Sequence, residues 1–110
     1  MKLPLIVDCK GDIGIFSDPK LAELEMEAID VRNGEYEVHD SEGQVVIPCI
    51  EQNERGVELV RLRTSEAAVI EADRVRNKLE RLLEHFGLNI ENDLTLCELI
   101  SLAKPYSENE

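Results

Sequence analysis

The sequence predicts an α+β domain: an antiparallel sheet made of a β-hairpin, a short helix and a four-strand meander, packed on one face by two C-terminal helices. Three observations carry this expectation. Short apolar or alternating runs bounded by turn signals fill the first sixty residues. Apolar residues then recur with a period near 3.5 from Ala68 to Phe86, the mark of one buried helical face. The 110-residue chain is long enough for one core but not for two.

In chain order, LPLIVD (3–8) and DIGIFS (12–17) flank Cys9-Lys10-Gly11 and read as a hairpin with a short glycine turn. Ser17-Asp18-Pro19 then starts a helix over about 19–27, with Phe16 able to staple onto Leu21. In the meander, Ile29 and Val31 alternate with Asp30 and Arg32, and Asn33-Gly34 supplies a hairpin turn. On the return strand Tyr36 and Val38 face one way, while Glu35, Glu37 and His39 face the other, towards solvent. QVVIPCI (44–50) suits a more central strand, except that Pro48 removes a ladder donor and implies a bulge or an edge. Asn53-Glu54-Arg55-Gly56 turns into VELVRLR (57–63).

Thr64 or Ser65 caps a helix over 65–86 that ends at Gly87. Thr95-Leu96-Cys97-Glu98 is a capping box, with Leu94 and Leu99 as its staple, for a last helix running to about Lys104. The expected order is ββαββββαα in one domain over 1–106, followed by a frayed acidic tail at 107–110.

Chemistry is scarce. Cys9, Cys49 and Cys97 are odd in number and widely spaced, which argues against a disulfide framework and for a reducing compartment. Neither His39 nor His85 has metal-ligand spacing around it, so no metal or cofactor is expected. Asp8 and Asp12 flank a turn whose backbone they can satisfy, and Gly11-Asp12-Ile13-Gly14 lacks the third glycine and following helix of a phosphate loop. No catalytic residue is assigned, and the protein is not expected to be an enzyme. The opening apolar run is too short for a signal peptide and no stretch is long enough to span a bilayer, which points to the cytoplasm.

Charge is the informative property. With 24 acids against 12 bases the chain carries −12, which disfavours nucleic acid and anionic membrane as partners. Bases do cluster at Arg74, Arg76, Lys78 and Arg81, but acids interleave with them as on a solvated helix face. From Ser17 to Gly43 nine acids face two bases, a net −7 threaded through folded elements rather than a tail. Such a surface suits a basic protein. As an edge held soluble and unpaired by charge, it needs no partner at all.

Within this region, IVDCKGDIGIFSDPKLAELEMEAIDVRNGEYEVHDSEG resembles the N-terminal half of small bacterial immunity proteins found beside polymorphic toxins, including contact-dependent growth inhibition systems. The likeness covers about the first 45 residues: the hairpin with its Gly-Asp turn, "FS" before a short helix, "EAIDVRNGEYEV" and "DSEG". It implies a cytosolic inhibitor that blocks the cationic cleft of a cognate toxin domain, a nuclease in many cases, with its acidic surface. The residues expected to contact the toxin are Glu23, Glu27, Asp30, Glu35, Glu37, His39 and Glu42. Tyr36 is a further candidate whose alternation favours the core. An acidic adaptor without inhibitory activity is the alternative. The oligomeric state is not legible.

Overall fold

The computed structural model describes residues 1–91 and 93–109. Strands β1 (Leu5–Cys9) and β2 (Asp12–Phe16) form the first hairpin, with Cys9 opposite Asp12 across a two-residue turn. Helices α1 (Pro19–Glu25) and α2 (Ala28–Arg32) follow, then β3 (Tyr36–His39), β4 (Val45–Gln52) and β5 (Glu58–Thr64). The chain closes with α3 (Ala72–His85), α4 (Leu96–Ala103), a single 3-10 turn at Lys104–Tyr106 and a two-residue β6 (Glu108–Asn109). The sheet order is β5-β4-β3-β1-β2-β6, antiparallel throughout except where β6 lies parallel to β2. The fold is therefore α+β, with the C-terminal helices packed on the sheet. The tail expected to fray from 107 includes β6, and Glu110 lies outside the described residues.

The core is two clusters on opposite sheet faces. Ile6, Ile13 and Ile15 point towards α3 and α4, where they meet Val75, Leu79, Leu83, Leu99, Ile100 and Ala103. Leu5, Val7, Phe16, Val38, Val46 and Val60 point the other way, where they meet Ala22 of α1 and Met26. Strict alternation along β1 produces both clusters, with Leu5, Ile6 and Val7 all buried. The expectation of a helix layer on one face only is thus corrected, since α1 and α2 cover much of the second face.

The cause is the segment 28–32, expected as a strand and found as α2. In a helix, residues two apart point roughly 200° away from each other, so Val31 packs inward while Ile29 is 63% exposed. Asn33-Gly34 therefore ends a helix instead of turning a hairpin. Gly34 has φ +68, and the Glu35 amide returns to the Asp30 carbonyl at 3.0 Å. A left-handed glycine serves either purpose equally well.

The helix expected from 65 begins only at Ala72. Residues 69–71 return instead to the start of β4: the Val45 amide donates to the Val69 carbonyl at 2.8 Å and the Glu71 amide to Gly43 at 2.7 Å. Backbone pairing there outweighs the helical preference of Glu66, Ala67 and Ala68. Phe86, placed in the buried stripe by its spacing, is 51% exposed beyond the last turn. Two of the three expected N-caps are present: Asp18 accepts from the Lys20 amide, and Thr95 and Glu98 form the reciprocal capping box. The third is corrected, since Thr64 ends β5 and α3 starts after Glu71, which makes no side-chain capping bond.

Pro48 is also explained. Opposite it, Leu62 donates its amide to Glu23 at 2.8 Å, outward from the sheet. Residues facing each other in an antiparallel ladder point their polar groups the same way, towards or away from each other. Pro48 therefore turns its nitrogen away from β5, and no β4–β5 hydrogen bond is lost. The β3–β4 ladder on its other side stops at Val46, before Pro48 is reached.

Candidate partner-binding surface

The acidic face expected on the return strand is not a free surface. Glu37 lies on the face covered by α3, where Arg74 grips both carboxylate oxygens at 2.7 and 3.0 Å and Lys78 approaches to 3.3 Å. The Arg74 guanidinium is the main cause holding the Glu37 carboxyl down at about 2, with Lys78 assisting against partial burial. Lys78 also pairs with Asp8, whose other oxygen accepts the Gly11 amide at 2.7 Å. The bases interleaved along α3 are thus turned partly inward, onto the acids of the sheet.

That cluster gives a pH expectation with a definite sign. The folded chain holds the Glu37 proton more weakly than the unfolded chain, so its stabilisation is complete above the ordinary value of 4.5 and is lost as pH falls towards 2. We expect Glu37→Gln to flatten the acid limb of the melting temperature over that interval and to leave the neutral-to-alkaline side parallel to wild type. A limb as steep as the wild type's would assign the acid sensitivity to other carboxylates.

His39 is further from solvent still, at 2% exposure, with Nε2 2.8 Å from Glu71 of the segment leading into α3 and Nδ1 without a partner among the described residues. It joins the sheet to the start of that helix and presents no surface. Its sequence neighbour Asp40, fully buried, points elsewhere and accepts the amides of Lys2, Glu42 and Gln44 at 3.0, 2.9 and 2.9 Å. The two side chains form no oriented acid–base pair.

The remaining candidates lie nearer solvent. Glu35 pairs with Lys10 at 2.6 Å, and this hydrogen bond is the main reason its carboxyl is lowered. Asp30 is raised, chiefly by the hydrogen bond it shares with Glu35, and Tyr36 reaches it through a 3.5 Å contact from its hydroxyl. Tyr36 is half-buried against the α1–α2 cluster, the core role its alternation favoured. Glu42 is exposed and lies 3.4 Å from Lys2. Glu23 is committed to the Leu62 amide on the open edge of β5.

Glu27 differs from these. It is exposed at the N-cap of α2, makes no side-chain capping bond, and meets no cation within salt-bridge distance among the described residues. Glu25, two residues earlier, is equally exposed and unpaired among the described residues. Beside them stand two bare aliphatic side chains, Leu24 at 81% exposure and Ile29 at 63%. The surface that keeps free carboxylates next to uncovered apolar groups is therefore the end of α1 and the start of α2.

Leu24, Glu25 and Ile29 were not among the expected contacts. A signal for Leu24 was available: Ala22, fully buried, is two residues away and so on roughly the opposite side of a helix. For Ile29 no signal existed while 28–32 read as a strand. No group of three or more metal-ligating side chains is assembled among the described residues. No described helix is long and apolar enough to cross a membrane. Compared with family models, curated proteins and solved structures, the chain gives no match.

Proposed function

We propose that this protein is an immunity protein: a non-catalytic cytoplasmic inhibitor that binds a cognate bacterial toxin domain, a basic nuclease, and occludes its active cleft. The observation carrying the reading is the α1–α2 surface, where Leu24 and Ile29 protrude among the free carboxylates of Glu25 and Glu27. Carboxylates can stand where a nuclease holds phosphates, and they accelerate encounter with a cationic cleft. Desolvated aliphatic anchors slow dissociation. The likeness of the first 45 residues to immunity proteins supports the same reading, as does a net charge that repels nucleic acid.

Co-expression with the toxin domain encoded beside its gene tests it. The expected result is survival, lost in a chain carrying Leu24→Ala and Ile29→Ala, whose affinity for the purified toxin falls about 30-fold or more. Glu25→Lys with Glu27→Lys should instead slow association by about tenfold and weaken its salt dependence. Binding without survival would identify an adaptor. An absence of both binding and survival would overturn the immunity reading.

A further inference from the structure

The helical layer formed by α3 and α4 does not extend over the whole sheet. Its apolar cluster contains no residue of β4 or β5, so this end of the sheet is covered on the α1–α2 side only. The register shows what lies on the other side: Ile47 faces Arg63, Cys49 faces Arg61, and Glu51 faces Leu59. Ile47 is 44% exposed, Cys49 and Leu59 are half-buried, and none of the three belongs to either apolar cluster among the described residues.

We propose that a second copy of this chain occupies this face, forming a weak two-fold dimer by sheet-on-sheet packing. Charge selects the occupant. In a molecule of net −12, this patch carries Arg61, Arg63 and one acid, Glu51, so two copies meet here with less repulsion than through the acidic α1–α2 surface. Glu51 already lies 2.8 Å from Arg63 and 3.8 Å from Arg61 on its own face. Two-fold related copies can exchange those partners, because an isologous contact needs one patch to carry both signs.

Edge-to-edge addition is the competing route, and the β5 edge is obstructed. Glu23 holds the Leu62 amide, and Arg61 donates to the Val60 carbonyl at 3.1 Å. The hairpin face spans on the order of 300 Å² per copy from strand rise and spacing. Stable interfaces need about 800 Å² per partner, so association is weak and concentration-dependent.

Sedimentation equilibrium of the full chain from about 10 µM to about 1 mM should show the mass rising from 12.5 kDa towards twice that value. Ile47→Glu, at an exposed position that leaves folding intact, should raise the dimer dissociation constant at least tenfold. In a chain carrying Cys9→Ser and Cys97→Ser, a short bis-maleimide should join two copies through Cys49; a chain retaining only Cys97 should give no cross-linked product. A constant monomer mass without cross-linking at Cys49 would overturn the proposal. So would association that Ile47→Glu leaves unchanged, since the copies would then meet elsewhere.

Discussion

Gly43→Ala should destabilise the fold by about 3 kcal/mol, from forced left-handed backbone and overpacking together. Gly43 has φ +86, a conformation alanine enters with strain. A Cβ at this position would lie 2.6 Å from the Ala72 Cα and 2.7 Å from its nitrogen, both backbone atoms that no side-chain rotation can move aside. Relief requires α3 to retreat from the sheet. That retreat would break the 2.7 Å hydrogen bond from Glu71 to the Gly43 carbonyl and loosen the contact between Glu71 and His39. Urea unfolding measures the effect. A loss below about 0.5 kcal/mol, the usual scale of a surface change, would mean that α3 is not seated against this turn.

Asp40→Ala should cost a comparable amount, about 3 kcal/mol, because it leaves three backbone N–H groups without their acceptor. These amides come from two separate parts of the chain: Lys2 near the N-terminus, and Glu42 and Gln44 in the β3–β4 connection. The Ser41 amide ties back to the Lys2 carbonyl at 2.9 Å, so removing Asp40 frees the N-terminal segment as well as the turn. Asp40→Asn separates charge from geometry. It keeps one acceptor oxygen for Glu42 and Gln44 but turns a donor towards Lys2, so about half of the loss is expected. Hydrogen exchange should show Lys2, Glu42 and Gln44 losing protection together in the alanine variant. Independent loss would show that the carboxylate does not organise them as a unit.

Much of the fold was legible because its signals are local. Lys10-Gly11 closes a hairpin, Asp18-Pro19 opens a helix, and Thr95 with Glu98 caps another; each motif satisfies its own backbone whatever surrounds it. Legibility failed where one local signal serves two structures. Asn33-Gly34 ends α2 in the same left-handed geometry that would tighten a hairpin, and the apparent alternation of Ile29 and Val31 fits a helix of one and a half turns. Ser65–Glu71 looks helical by composition, yet it is drawn back onto the sheet by hydrogen bonds to residues more than twenty positions away.

The surface was harder to read than the core, for a related reason. Alternation placed Glu37 and His39 on one face of β3, and they are on one face. Which helix covers that face is a long-range choice, and α3 brings Arg74 and Lys78 to it. The clustered acids of the sequence are therefore divided by the fold between those neutralised at the sheet and those left free on α1 and α2.

The hydrogen bond from Leu62 to Glu23 bears on more than the sheet edge it blocks. Glu23 directly precedes Leu24, so the helix that presents the protruding leucine is fastened to β5 from 39 residues away in the chain. A seven-residue helix has little persistence of its own in water. Fastened in this way, α1 offers its surface already ordered, and a partner docking there would lose little conformational entropy on that account. Releasing the fastening with Glu23→Ala should weaken such a complex while altering neither the free charges nor the apolar contacts that the partner meets.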